Sequence, residues 1–263
     1  MGKRERYEPG TFCWVDLGTT DPAGAKAFYG GLFGWEAVDM PASGMTYTML
    51  RLGGDDVAAL YEQDAEQRAQ GIPPSWFHYV SVEDADATAA RARELGGTVQ
   101  GEAFDVLDSG RMAIVQDPTG AWFAVWQPRA HIGARRVNEP GTLTWNELQS
   151  RDPDTAASFY GGLFGWEMER IEQDGRLAYV TIKNGGRTNG GIMPMGEQHG
   201  DAPPHWLAYF VAESADDTAA RVRELGGGVL AEPFDVPNTS GRIAVVRDPQ
   251  GAVFALFQGP TDD

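Results

Sequence analysis

Two short stretches place a carboxylate beside an indole. Trp14-Val15-Asp16 and Trp145-Asn146-Glu147 each separate a tryptophan from an acid by one residue. Alternate residues of a strand share a face, so each pair points the same way. An acid held against an indole loses water, and its pKa rises. It can then act as a general base or as the counter-ion of a cation. Arg111 and Arg242, each following Ser-Gly, could pair with these acids or be plain strand-edge arginines. The four histidines, His78, His131, His199 and His205, are scattered and read as surface or internally satisfied side chains. Cys13 is the only cysteine, which excludes an internal disulfide and a thiolate zinc site. Strand parity from Trp14 places Cys13 on the helix-facing side as a packed thiol.

The rest of the composition narrows the partners. In 263 residues, 38 Asp and Glu outnumber 21 Lys and Arg, for a formal charge of −17. Such a surface repels phosphate backbones and anionic membranes, and it favours a cationic ligand or simply solubility. Nucleic acid and membrane are therefore not expected as partners. With 42% hydrophobic residues, the chain can bury a core. The first ten residues, MGKRERYEPG, lack an apolar signal region, and no apolar run reaches membrane-spanning length. A cytoplasmic protein, monomeric or homodimeric, is expected.

The chain repeats itself. Residues 10–36 and 141–167 are identical at more than half of their positions, and both end in FYGGLFGWE. RELGG, FDV, SGR and DP-x-GA then recur in the same order, so the repeat covers nearly the whole chain. A unit of this length suits a domain rather than a solenoid. A fainter repeat lies within each copy. Asp21 and Pro22 suit a helix start, Ala25, Phe28, Tyr29 and Leu32 make an apolar helical face, and Gly34 suits its end. Asp84 to Gly97 repeats the pattern. Alternating runs at 45–51, 57–61, 111–116 and 121–126 read as strands between turn signals. The unit is βαβββ, four times over, and FYGGLFGWE is a helix end that packs on its sheet.

Paired βαβββ modules, an Asp-capped helix with Phe-Tyr and a terminal glycine, and a DP-x-G turn before the last strand resemble the vicinal oxygen chelate superfamily. Glyoxalase I, bleomycin-resistance proteins and extradiol dioxygenases belong to it. The likeness spans about residues 8–259 and looks closest to tandem glyoxalase-like proteins of actinobacteria. It implies an α+β fold of four modules in two tandem glyoxalase-like domains, 8–128 and 139–260, with curled mixed sheets. Residues 129–138 form the linker, and each domain is closed by its own two modules.

The resemblance also places the metal ligands of metal-dependent members. The matching positions hold Trp14, Phe77 and Ala124 in the first copy, and Trp145, Leu207 and Ala255 in the second. A fourth position falls near 58–60 and 190–192 and also lacks a donor. A divalent ion needs several converging O, N or S donors, so no metal and no other cofactor is expected. Strand alternation then gives the lining of the implied cavities. It comprises Trp14, Asp16, Phe77, Tyr79, Trp122 and Trp126 in one, and Trp145, Glu147, Tyr209 and Phe257 in the other. These expectations favour a metal-independent pocket for an aromatic or cationic small molecule, of sequestration type. A metal-free enzyme using Asp16 or Glu147 as acid or base is the alternative. A structural protein with plugged cavities is the third.

Overall fold

Each copy begins with the same local physics. The computed structural model describes residues 2–42, 45–237 and 239–261. Strand β1 (Phe12–Thr19) leads to helix α1 (Pro22–Phe33). Asp21 caps this helix by accepting the Gly24 N–H, Pro22 fills its first position, and Gly34 ends it at φ 71°. Strands β2 (Glu36–Ala42), β3 (Met45–Leu52) and β4 (Asp55–Glu62) follow, then the short α2 (Ala65–Ala69). The second module is β5 (Ser75–Ser81), α3 (Ala85–Glu94), β6 (Thr98–Val106), β7 (Gly110–Gln116) and β8 (Trp122–Pro128).

The second copy repeats the series. It runs β9 (Leu143–Ser150), α4 (Pro153–Phe164), β10 (Glu167–Gln173), β11 (Arg176–Asn184) and β12 (Arg187–Pro194). It continues with β13 (His205–Val211), α5 (Ala215–Glu224), β14 (Gly228–Asp235), β15 (Arg242–Arg247) and β16 (Val253–Gln258).

Each copy forms one mixed eight-stranded sheet from its own strands. The orders are β2-β3-β4-β1-β5-β8-β7-β6 and β10-β11-β12-β9-β13-β16-β15-β14. Neither sheet closes into a barrel. At the centre of each, two equivalent strands run antiparallel, with Trp14 opposite Tyr79 and Trp145 opposite Tyr209. No helix among the described residues is long and apolar enough to cross a membrane.

The two cores on the outer faces of the sheets do not respect the copies. One joins Val15, Phe28, Tyr29 and Trp76 of the first copy to Phe210, Val222 and Phe254 of the second. The other joins Val80, Ala89 and Phe123 to Phe159, Tyr160 and Trp206. The helix end FYGGLFGWE is built for this crossing, beyond the packing on its own sheet that its pattern suggests. Tyr29 Oη donates to Asp248 Oδ2 at 3.1 Å and accepts from Trp76 Nε1 at 3.2 Å. The mirror set is Tyr160 Oη to Asp117 Oδ2 at 2.9 Å, with Trp206 Nε1 at 2.9 Å. In each aspartate the other oxygen caps its own DP-x-G turn, through the N–H groups of Thr119, Gly120 and Ala121 or of Gln250, Gly251 and Ala252. Trp35 and Trp166 donate across as well, to the Gly141 and Gly10 carbonyls.

Two glycines of the motif set the spacing. A Cβ on Gly31 would lie 2.9 Å from Leu225, and one on Gly162 would lie 3.1 Å from Leu95. These leucines follow α5 and α3, so the missing side chains let α1 approach α5 and α4 approach α3. His78 is sealed in the same junction between Phe12 and Trp206, and burial pushes its pKa down to about 3.

Tyr29→Phe and Tyr160→Phe keep the rings and strip the bridging hydroxyls. Each leaves a buried aspartate oxygen and an indole N–H without a partner, so each should lower the unfolding free energy by about 1–3 kcal/mol. Urea titration followed by circular dichroism reads this. Losses below about 0.5 kcal/mol for both, the size of an ordinary surface change, would show that the crossing bonds do not hold the halves together.

Candidate ligand-binding faces

The faces of the sheets turned away from these cores carry the candidate residues. On the first, Trp14, Tyr79, Ala124 and Trp126 cluster with Tyr47, Phe77, Met112 and Ile114. On the second, Leu207, Tyr209 and Ala255 cluster with Trp145, Ile243, Val253 and Phe257. The residues that share a strand face by alternation therefore stand on the inner faces. Trp122 lies on the same side of β8 as Ala124 and Trp126, but it stands at the strand end and is 40% exposed.

Each acid sits in a network of tyrosines. Asp16 Oδ2 accepts from Tyr47 Oη at 2.9 Å and Tyr79 Oη at 2.8 Å, and Trp14 Nε1 donates to Tyr47 Oη at 3.1 Å. Asp16 Oδ1 is buried and has no partner among the described residues. Glu147 accepts from Tyr209 Oη and Tyr179 Oη, both at 2.8 Å, and from Gln149 Nε2. Trp145 Nε1 donates to Tyr179 Oη at 3.0 Å. Burial pushes the Asp16 carboxyl up to about 6, against the pull of its two tyrosines. Burial raises Glu147 as well, opposed by Tyr209, Tyr179 and Gln149.

Tyr47 and Tyr179 are not among the residues that alternation alone singles out. Their signal is the repeat itself, since both occupy the third strand of their copy in equivalent register. The arginines are not partners of the acids. Arg111 binds Asp86 and Asp105, and Arg242 binds Asp216 and Asp235, all on the surface.

Apolar side chains stand exposed on the same faces, toward the sheet edges. Met40 pairs across strands with Tyr47, and Ile171 with Tyr179. Phe104 pairs with Met112, and Phe234 with Ile243. Paired residues of antiparallel strands share a face. All four are more than 40% exposed, and they occupy equivalent places in the two copies.

The linker makes the faces unequal. From β8 it passes the Ser109 carbonyl, then Cys13, then Asp56, with Ala134 N–H on the Cys13 carbonyl and Arg135 N–H on that of Asp56. His131 packs edge-on against Trp14 at 4.6 Å, and Trp126 Nε1 donates to its carbonyl. This histidine is thus a packing group of the first face, and burial lowers its pKa to about 4. A bulge between Phe12 and Trp14 overturns the parity expected for Cys13, whose side chain joins the inner cluster. Trp14 and Trp126 are consequently buried, while Trp145 and Phe257 are only half-buried. His205 opens β13 on the second inner face, opposite Gln149.

The positions that would hold a metal lie together on these faces and offer no donor atom. Among the described residues no three His, Cys, Asp or Glu side chains come together as a metal site. The residues present do not fit a divalent ion.

Residues 11–125 and 142–256 each match the model of the Glyoxalase/Bleomycin resistance protein/Dioxygenase superfamily. Over 262 residues the chain is 44% identical to the glyoxylase-named protein CFP32 of Mycobacterium bovis, with 98% of each chain covered. Over 265 residues it is 36% identical to the anthracycline biosynthesis protein DauV of a Streptomyces species, covering 96% of this chain and 94% of that one. The Mn(II)-bound glyoxalase of Novosphingobium aromaticivorans shares the fold, with a TM-score of 0.67, 18% identity, and coverage of 100% of this chain and 86% of that one.

The Asp16 pKa near 6 has a stability consequence. An unfolded aspartate titrates near 4, so the folded chain holds this proton more tightly. The associated stability is fully present below about pH 4 and is lost as pH rises through about 6, a fall of roughly 3 kcal/mol. Asp16→Asn removes that titration. Its unfolding free energy, measured from pH 4 to pH 7, should gain on the wild type by about this amount. Parallel pH profiles for the two proteins would show that Asp16 is not buried as a proton-binding group.

Proposed function

The chain belongs to the Glyoxalase/Bleomycin resistance protein/Dioxygenase superfamily, and on that footing we propose that it binds a planar aromatic small molecule without a metal. One observation carries this reading. Each inner face sets a tyrosine-held carboxylate, Asp16 or Glu147, beside a tryptophan, with exposed apolar side chains toward the sheet edges. Indole and phenol rings offer stacking area, and the acid offers one polar anchor. Large apolar side chains left in water at equivalent places in both copies are explained by a ligand that covers them. The relative DauV is named for anthracycline biosynthesis, and an anthracycline is a polycyclic aromatic, which fits such a face.

The plugged alternative has its support on the first face, where Asp16, Trp14 and Trp126 are buried and the linker packs over them. The second face has no such cover from the linker. An enzymatic reading is supported by the raised Asp16 and Glu147, since a carboxyl that titrates nearer neutrality is a usable general base. Cytoplasmic location and small-molecule sequestration remain part of the proposal.

The test is fluorescence titration of the purified chain with an anthracycline, with and without EDTA, alongside product analysis. Saturable quenching unaffected by EDTA is expected. On the face that holds the ligand, the acid-to-amide change, Asp16→Asn or Glu147→Gln, should weaken binding of an amine-bearing ligand by about 1.5–3 kcal/mol, the range for a hydrogen bond to a charge. In an enzyme the same change would cost about 10²-fold or more in kcat with little change in affinity. Binding that disappears with EDTA would refute metal independence, and no saturable binding would refute the reading itself.

A further inference from the structure

The two inner faces share their aromatic network but differ in the layer beside it. On the first, adjacent strands line up Tyr61, Gly18 and Ser75. On the second, the same three places are Met193, Gln149 and His205. Gly18 leaves a space that Tyr61 occupies, for a Cβ there would lie 3.0 Å from the Tyr61 hydroxyl. The second face has amide and imidazole instead, both on the side of Glu147.

Their hydrogen bonding is incomplete in one direction. Gln149 is 6% exposed, its Nε2 donates to Glu147 Oε1, and its Oε1 has no partner among the described residues. His205 Nδ1 lies 2.9 Å from the Pro203 carbonyl. A carbonyl can only accept, so Nδ1 carries the proton and Nε2 presents a lone pair. Burial lowers the His205 pKa and keeps the ring neutral. An amide oxygen, an imidazole nitrogen and a carboxylate thus stand on one face as acceptors. A buried acceptor without a donor is costly, and a ligand that brings one relieves the cost.

We propose that the second face is the ligand site, and that Gln149 and His205 select an aromatic molecule carrying a protonated amine. The inference rests on the reading that the chain binds an aromatic small molecule, and it adds which face and which charge. Stacking on Trp145, which Tyr179 links to Glu147, holds the ring, while the ammonium donates to Gln149 Oε1 and His205 Nε2 beside Glu147. A carboxylate in the same place would meet only acceptors. The acidic surface, at a formal charge of −17, also draws cations toward the site. The first face, filled by Tyr61 and covered by the linker, remains a packed core.

Three probes of one ring shape test this: 9-(aminomethyl)anthracene, 9-(hydroxymethyl)anthracene and anthracene-9-carboxylate. Their fluorescence is titrated with wild type, Gln149→Leu, His205→Ser and Tyr61→Phe, each checked for folding by circular dichroism. The wild type should bind the amine about tenfold or more tighter than the alcohol, and the carboxylate more weakly still. Gln149→Leu and His205→Ser should each reduce amine affinity several-fold, and affinity for the alcohol, which brings a single uncharged donor, by less. Tyr61→Phe, on the packed first face, should leave all three unchanged. Equal binding of the three probes, or an amine preference lost only in Tyr61→Phe, overturns this inference and leaves the broader reading standing. Failure of all three to bind the wild type overturns both.

Discussion

The reciprocal crossing of Tyr29 to Asp248 and Tyr160 to Asp117 decides what the rest of the molecule is free to do. Each sheet has an outer face too apolar to meet water. The chain solves this by packing the outer face and helix of each module against a module of the other copy. Each aspartate then has two tasks, one oxygen closing its own turn and the other receiving a tyrosine from the opposite half. Turn geometry in one copy is thereby tied to helix position in the other. The inner faces are relieved of holding the halves together, so their side chains can change with less cost to the fold.

That division explains what could be read from the sequence. Helix caps and strand alternation are local, so Asp21, Gly34 and the inner placement of Trp14, Asp16, Tyr79 and Glu147 were legible. The repeat gave the fourfold unit. The Tyr–Asp crossing was not legible, because FYGGLFGWE satisfies a within-module role and nothing local reveals the distant aspartate. The Cys13 parity failed because a bulge inserts one residue before Trp14, and a bulge leaves no clear mark in composition. Tyr47 and Tyr179 could have been found by asking which repeated polar residues fall on the inner side of the third strand.

Tyrosine networks replace donor clusters in both copies, and the replacement has a physical logic. A buried carboxylate without a cation must be held by hydrogen-bond donors or be neutralised. Two phenols supply those donors without adding charge, and their rings contribute apolar surface at the same time. Trp14 and Trp145 then hydrogen-bond the outer tyrosine of each pair and fix its hydroxyl. The arrangement differs between the acids in one respect. Glu147 has both oxygens occupied, whereas Asp16 uses one oxygen for both tyrosines and leaves the other bare.

The remaining asymmetry follows from where the linker leaves the first sheet. It starts at the end of β8, beside Trp126, and must reach β9 in the other half. Its route passes the ends of β7, β1 and β4, and so lies across the first inner face. Gly133, at φ 107°, lets the backbone approach so closely that a Cβ there would lie 2.3 Å from the Cys13 carbonyl oxygen. His131 then covers Trp14 and Trp126, and the bare Asp16 oxygen is shut away from water. The second face begins with the same tryptophan and tyrosines, yet it keeps Trp145 and Phe257 half open and adds Gln149 and His205. Duplication supplied two equivalent faces. The linker that joins the copies lies over one of them, and the acceptor-rich polar layer is found on the other.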